Sequence, residues 1–155
     1  MNKIVIRKKV EMKYLYYKKV DKKLPNPDYQ TKGSVAFDLY SRIDITIKPH
    51  TIQLVPTNLI IKVPKGYALL IASRSSTPIK KNLFVANGIG IIDQDYYGND
   101  DEIKVEFYNF NNKSVQINKG ERLAQALLVK IDIRKLKHSN FIKTNNRGGF
   151  GSTQS

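Results

Sequence analysis

The sequence predicts an all-β domain, a sandwich, jelly roll or barrel of short strands with little helix. Three observations point there. Short apolar or alternating runs recur along the chain, each closed by a turn rich in Gly, Pro or Asn. Only Ser75–Lys81 offers room for a helix. From Lys143 to Ser155 the composition turns to Gly, Asn and Ser, with too little apolar area to fold alone. At 155 residues the chain reads as one domain over 1–142 with a real core, followed by a flexible arm over 143–155.

In order, Lys3–Val10 alternates Ile and Val with Lys and Arg and is expected as an edge strand guarded by its lysines. Lys13–Lys23 is ambiguous: Tyr14, Leu15 and Tyr17 can cover core surface or form a stacking platform. Leu24–Gly33, with two prolines, reads as an extended loop. Val35–Ser41, Ile43–Lys48 and Thr51–Val55 are strand-like, the last two divided by a Pro49-His50 turn. Thr57–Val63 and Tyr67–Ala72 are expected to pair across Pro64-Lys65-Gly66. Leu83–Ala86 leads into Gly88–Gly98, expected as a hairpin with a polar tip. Glu102–Phe110 alternates, turns at Asn111-Asn112 and returns through Ser114–Ile117. Asn118-Lys119-Gly120 then turns into Leu123–Ile133, the most apolar stretch.

Composition excludes several chemistries. The chain has no cysteine and only His50 and His138, far apart, so thiolate metal sites, disulfides and histidine triads are not expected. Met1–Val10 lacks the unbroken apolar core of a signal peptide, and no stretch approaches membrane-spanning length; a soluble, cytoplasmic protein is expected. The net charge of +14 comes from 27 Lys and Arg against 13 Asp and Glu. The lysines are scattered in pairs rather than gathered in a block, so a nucleic-acid face is not expected. Such a field speeds the arrival of a small polyanion.

Several stretches carry possible chemistry. Asp38, in the apolar run Ala36–Tyr40, is costly unless paired, hydrogen-bonded or near a metal. Ser73-Arg74-Ser75-Ser76-Thr77 offers hydroxyls, turn N–H groups and a guanidinium, a phosphate cradle. Arg74 can equally form an ion pair with Asp38. Gly88, Gly90 and Gly98 bound a run with two carboxylates and two phenols, and Asn87 offers an amide beside it. Arg122 and Gln125 are polar residues at the entry to an apolar strand.

Taken in order, these stretches resemble the motifs of the homotrimeric dUTPases. Val35-Ala36-Phe37-Asp38-Leu39 resembles the first motif and Ser73-Arg74-Ser75-Ser76 the second. Gly90-Ile91-Ile92-Asp93-Gln94-Asp95-Tyr96-Tyr97-Gly98 resembles the third, Gly120–Gln125 the fourth and Gly148–Thr153 the fifth. The departures are Ala36 for a glycine, Ser73 for a proline, Gln154 for a final glycine, and Arg147, displaced by two from the family arginine that falls on Asn145.

The resemblance implies a jelly-roll-like (β-clip) fold and a threefold homotrimer whose C-terminal arm closes over a neighbouring site. It implies hydrolysis of dUTP to dUMP and pyrophosphate with Mg2+, which keeps uracil out of DNA. Asp93 would be the general base. Arg74, Ser75, Ser76, Gln125, Arg147, Ser152 and Thr153 would hold phosphates. Asn87, Gly88, Gly90, Ile91, Ile92, Tyr96 and Phe150 would hold uracil and deoxyribose, and Asp38 would anchor the metal through water. Arg122 is expected to be structural at a subunit contact, Asp95 a turn-former and Tyr97 surface or interface. Alternatives are a dCTP deaminase of the same fold, which should show a catalytic glutamate, and a regulatory protein binding nucleic acid or protein.

Overall fold

Residues with every second side chain apolar form the strands here, because one face of each must leave water. A computed structural model of the chain describes residues 13–142. In chain order its elements are β1 (Tyr16–Lys19), β2 (Phe37–Tyr40), β3 (Ile45–Ile47), β4 (Ile52–Pro56), β5 (Leu59–Lys62) and β6 (Tyr67–Ser73). There follow α1 (Ser76–Lys81), β7 (Leu83–Val85), β8 (Gly90–Ile92), β9 (Lys104–Asn109), β10 (Val115–Ile117) and β11 (Arg122–Lys130). The strands form a jelly-roll-like fold of separate sheets with no closed barrel. The expected strand at Lys3–Val10 and the arm over 143–155 lie outside the described residues.

The central sheet has the order β2-β11-β6-β8 and is antiparallel throughout. A second sheet, β4-β9-β7, packs with the pairs β1-β5 and β3-β10 around one core. Leu39, Ile47, Ile61, Leu69, Ile71, Leu83, Ile103, Phe107 and Ile117 are almost wholly buried in it. Each such side chain contributes on the order of 2 kcal/mol by leaving water.

Element positions match the alternation, but several pairings differ from those expected. Thr57–Val63 and Tyr67–Ala72 do not pair: β5 joins β1, while β6 lies between β11 and β8. The Pro64–Gly66 turn does form, with Gly66 at φ 85° and the Tyr67 N–H on the Pro64 carbonyl, yet it redirects the chain to another sheet. The Gly88–Gly98 stretch is not a hairpin. Its one strand, β8, is the edge of the central sheet, and an irregular turn over 93–103 follows. Likewise β10 returns to β3, not β9. In each case packing of apolar faces from distant segments outweighs the nearest turn. Of the aromatic run near the start, Leu15 packs on the core, whereas Tyr14 and Tyr17 stay exposed.

Candidate active site

The central sheet assembles the polar stretches singled out above. On β2, Asp38 sits opposite Gln125 of β11, which sits opposite Ala72 of β6, so the three form one row. Asp38 is only 5% exposed. Arg74, just past β6, forms an ion pair through Nε with Asp38 Oδ1 at 2.7 Å, and Arg122 donates from Nη1 to Oδ2 at 3.0 Å. The pairing of β11 with β2 shifts between Arg122 and Ala124, and the bulge re-aims Arg122 toward Asp38 and Gln30. Arg122 thus has partners within its own chain, as a structural role requires. The Gln125 amide donates to the Ser73 carbonyl at 3.2 Å.

The serines follow from the same corner. Ser75 starts α1 without a side-chain capping bond, so its exposed hydroxyl is not consumed by the helix. Thr77 is buried and donates to the Leu123 carbonyl at 2.7 Å, which ties α1 to β11. Ser73 accepts the Val85 N–H at 3.0 Å, a tie to β7 that a proline could not make. Arg74, Ser76, Lys80, Lys81 and Arg122 line a cleft of about 250 Å3 here. Two cations facing one carboxylate, with guanidinium donors to spare, make a floor suited to phosphate oxygens.

The glycines around β8 each answer a different demand. Gly88 holds φ at 75°, a left-handed turn that side chains resist. Gly90 lies so close to β6 that a Cβ would come within 3.2 Å of the Ile71 Cβ. Because β8 pairs on one side only among the described residues, its outer backbone edge is open there. Beside it a cleft of about 120 Å3 is lined by Asn87, Gly90, Ile91, Ile92, Lys104 and Glu106, among others. Asp93 follows directly and is exposed. It lines a different cleft of about 460 Å3 with Tyr67, Gln94, Asp95 and Ile131. Gln94 pins that turn by donating to the Tyr67 carbonyl at 3.1 Å, and the Asp95 carbonyl takes the Tyr97 N–H. Lys62 lies over the Tyr97 ring, 5.4 Å from its centroid.

The far end of the turn is held from below. Glu102, 7% exposed, receives Nε and Nη2 of Arg42 at 2.7 and 2.9 Å and the Asn58 N–H at 2.8 Å. The hydrogen bonds from Arg42 to Glu102 raise the guanidinium above its ordinary pKa. The Tyr96 hydroxyl donates to the Glu102 carbonyl at 3.4 Å. Neither Arg42 nor Glu102 stood out in the sequence, and nor did Lys80, Lys104 or Glu106.

Within one chain the candidates therefore occupy three clefts: Arg74 and Ser76 in one, Asn87, Gly90, Ile91 and Ile92 in the second, Asp93 in the third. Arg147, Phe150, Ser152 and Thr153 lie outside the described residues. Among the described residues no cluster of three His, Cys, Asp or Glu side chains is placed to hold a metal ion.

The dUTPase family model matches residues 22–155. A deoxyuridine 5'-triphosphate nucleotidohydrolase of Rickettsia prowazekii is 42% identical over 142 residues, covering 88% of this chain and 93% of that protein. The crystal structure of dUTPase from Streptococcus mutans superposes with a TM-score of 0.71 at 27% identity, covering 77% of this chain and 98% of the other. A mutant dUTPase from phage phi11 of S. aureus, described with a coordinated structural Mg(II) ion, shares the fold with a TM-score of 0.74 at 21% identity, over 83% and 97% of the two chains.

Proposed function

The chain belongs to the dUTPase family and is a hydrolase acting on dUTP, and from that premise we propose that it cleaves dUTP to dUMP and pyrophosphate with Asp93 as general base, in a site completed between the subunits of a homotrimer. The observation that carries the reading is the corner where β2, β11 and the end of β6 meet. Segments 84 residues apart converge there on Asp38, and the cleft beside it is lined by guanidinium, ammonium and hydroxyl donors.

The bond changes are simple. Asp93 accepts a proton from water as the water oxygen bonds to the α-phosphorus. The bond from that phosphorus to the bridging oxygen breaks, and pyrophosphate leaves with the electron pair. Arg74, Ser75, Ser76 and Gln125 hold phosphate oxygens in line, and their fixed donors supply much of the remaining acceleration. Arg147, Ser152 and Thr153 of the arm add to this, and Phe150 stacks on uracil. Mg2+ suits the site as an ion bound chiefly by phosphate oxygens and water, since Asp38 has lone pairs left beyond its two arginine bonds. When bound, it offsets the charge of the triphosphate.

The open edge of β8, with Asn87 and Gly88, supports pairing with the uracil edge. Cytosine presents a donor where uracil presents an acceptor, and the unpaired groups reject it by up to roughly 10⁴-fold. Tyr96 closes the space beneath the deoxyribose.

The trimer has support from two sides. Among the described residues the three clefts share no lining residue. One face of the sheet β4-β9-β7 exposes Ile52, Leu54 and Phe84, with the Phe84 ring tilted against those of Tyr108 and Phe110 at 5.4 and 5.9 Å between centroids. Apolar patches of this kind mark interfaces.

Pyrophosphate release measured with dUTP, dCTP, dTTP and UTP tests the whole reading. The expected result is fast release from dUTP alone. Ammonia release from dCTP, or equal rates on all four, would overturn it.

A further inference from the structure

We propose that Lys80 is a binding residue for the pyrophosphate portion of the nucleotide, a role that rests on the hydrolase reading above. Four cations line the cleft at the start of α1: Arg74, Lys80, Lys81 and Arg122. Three are already committed. Arg74 and Arg122 share Asp38 at 2.7 and 3.0 Å, and Lys81 pairs with Glu121 at 2.6 Å while donating to the Gln116 carbonyl at 3.3 Å. Among the described residues Lys80 has no carboxylate within ion-pair distance. Among the described residues it is therefore the one cation of the cleft with no carboxylate partner, beside two arginines that share a single carboxylate.

Geometry adds to the charge count. Ser76 and Lys80 stand one turn apart on α1 and so share a face. That helix is anchored on both sides, by Thr77 to the Leu123 carbonyl and by Lys81 to Glu121. Lys80 thus rises from a fixed base. Both line the cleft, Ser76 half-buried and Lys80 exposed. A phosphate chain laid in the cleft would meet Ser76 and the guanidiniums inside and Lys80 at its outer, more highly charged end. An ammonium with three rotatable donors suits a group whose oxygens turn freely, whereas the planar arginines suit fixed bidentate contacts.

The test is calorimetric titration of inorganic pyrophosphate, with Mg2+ present, into the wild type, Lys80→Gln and Lys80→Arg, with dUMP titrated in parallel. Lys80→Gln is expected to bind pyrophosphate about tenfold more weakly, the loss of one charge-assisted contact. Its dUMP affinity and melting temperature should stay at wild-type values, and Lys80→Arg should recover most of the pyrophosphate affinity. Unchanged pyrophosphate affinity in Lys80→Gln would overturn the assignment. A parallel loss of dUMP affinity would overturn it too, because it would mark a general effect on the site. Failure of the wild type to release pyrophosphate from dUTP would count against the hydrolase mechanism instead, and the titration would still decide Lys80.

Discussion

Where β2 and β11 meet the end of β6, the buried charge is balanced inside the chain: Asp38 holds two arginines and leaves none of its oxygens without a partner. A short way along the same sheet, past the end of β8, Asp93 stands exposed, and its carboxylate meets no side-chain or backbone donor among the described residues. The first acid is built to shape its surroundings and the second to act on something that arrives. Removing each should therefore fail in a different way.

Asp93→Asn should show the largest effect, a fall in turnover of at least about a hundredfold, because a positioned base contributes on that scale or more. An exposed carboxylate without partners contributes little to folding, so the melting free energy should move by no more than about 0.5 kcal/mol. Steady-state pyrophosphate release and chemical denaturation of the same preparation check both halves. Undiminished hydrolysis would remove Asp93 from its role, and a large destabilisation would erase the contrast with Asp38.

Asp38→Asn should invert that pattern. Neutralising it leaves two guanidiniums facing a half-strength acceptor in a nearly buried place. Breaking a fully buried pair costs more than this one should, since both arginines reach solvent; about 2 kcal/mol of stability is expected to go. Urea unfolding measures it. Substrate affinity should weaken as Arg74 loses its orientation, and a variant as stable as the wild type would show that the corner is not held by charge.

The contrast between these acids was partly legible in the sequence. A lone Asp inside Ala36–Tyr40 demands a partner, and Arg74 reads as able to form an ion pair with it, which it does. Turn chemistry placed the breaks at Gly66 and Gly120 correctly, because positive φ at 85° and 81° favours glycine. Strand partners were not legible. Local turns suggested β5 with β6 and β9 with β10, whereas β6 pairs with β11 and β10 with β3. Alternation says which face is buried but not which distant strand covers it. Glu102 escaped notice for a related reason. At the start of an alternating run it reads as solvated, and only the fold brings Arg42 and the Asn58 N–H to it.

A third acid tests how far paired charge matters once burial is removed. Asp21 accepts from Lys119 Nζ at 2.6 Å and from the Lys23 N–H at 2.8 Å. The Lys119 bond first, then the Lys23 N–H, hold its pKa below the usual carboxylate value. A depressed folded-state pKa contributes stability above the unfolded value of about 4, and the contribution disappears as pH falls through the lower, folded one. Wild type and Asp21→Asn should thus differ in urea midpoint at neutral pH and converge as the solution is acidified below about pH 4. The gap should be smaller than that for Asp38→Asn at every pH, because water screens the Asp21–Lys119 pair. A gap that widens in acid would mean that Asp21 is protonated more readily in the folded chain than in the unfolded one, the reverse of what its two donors require.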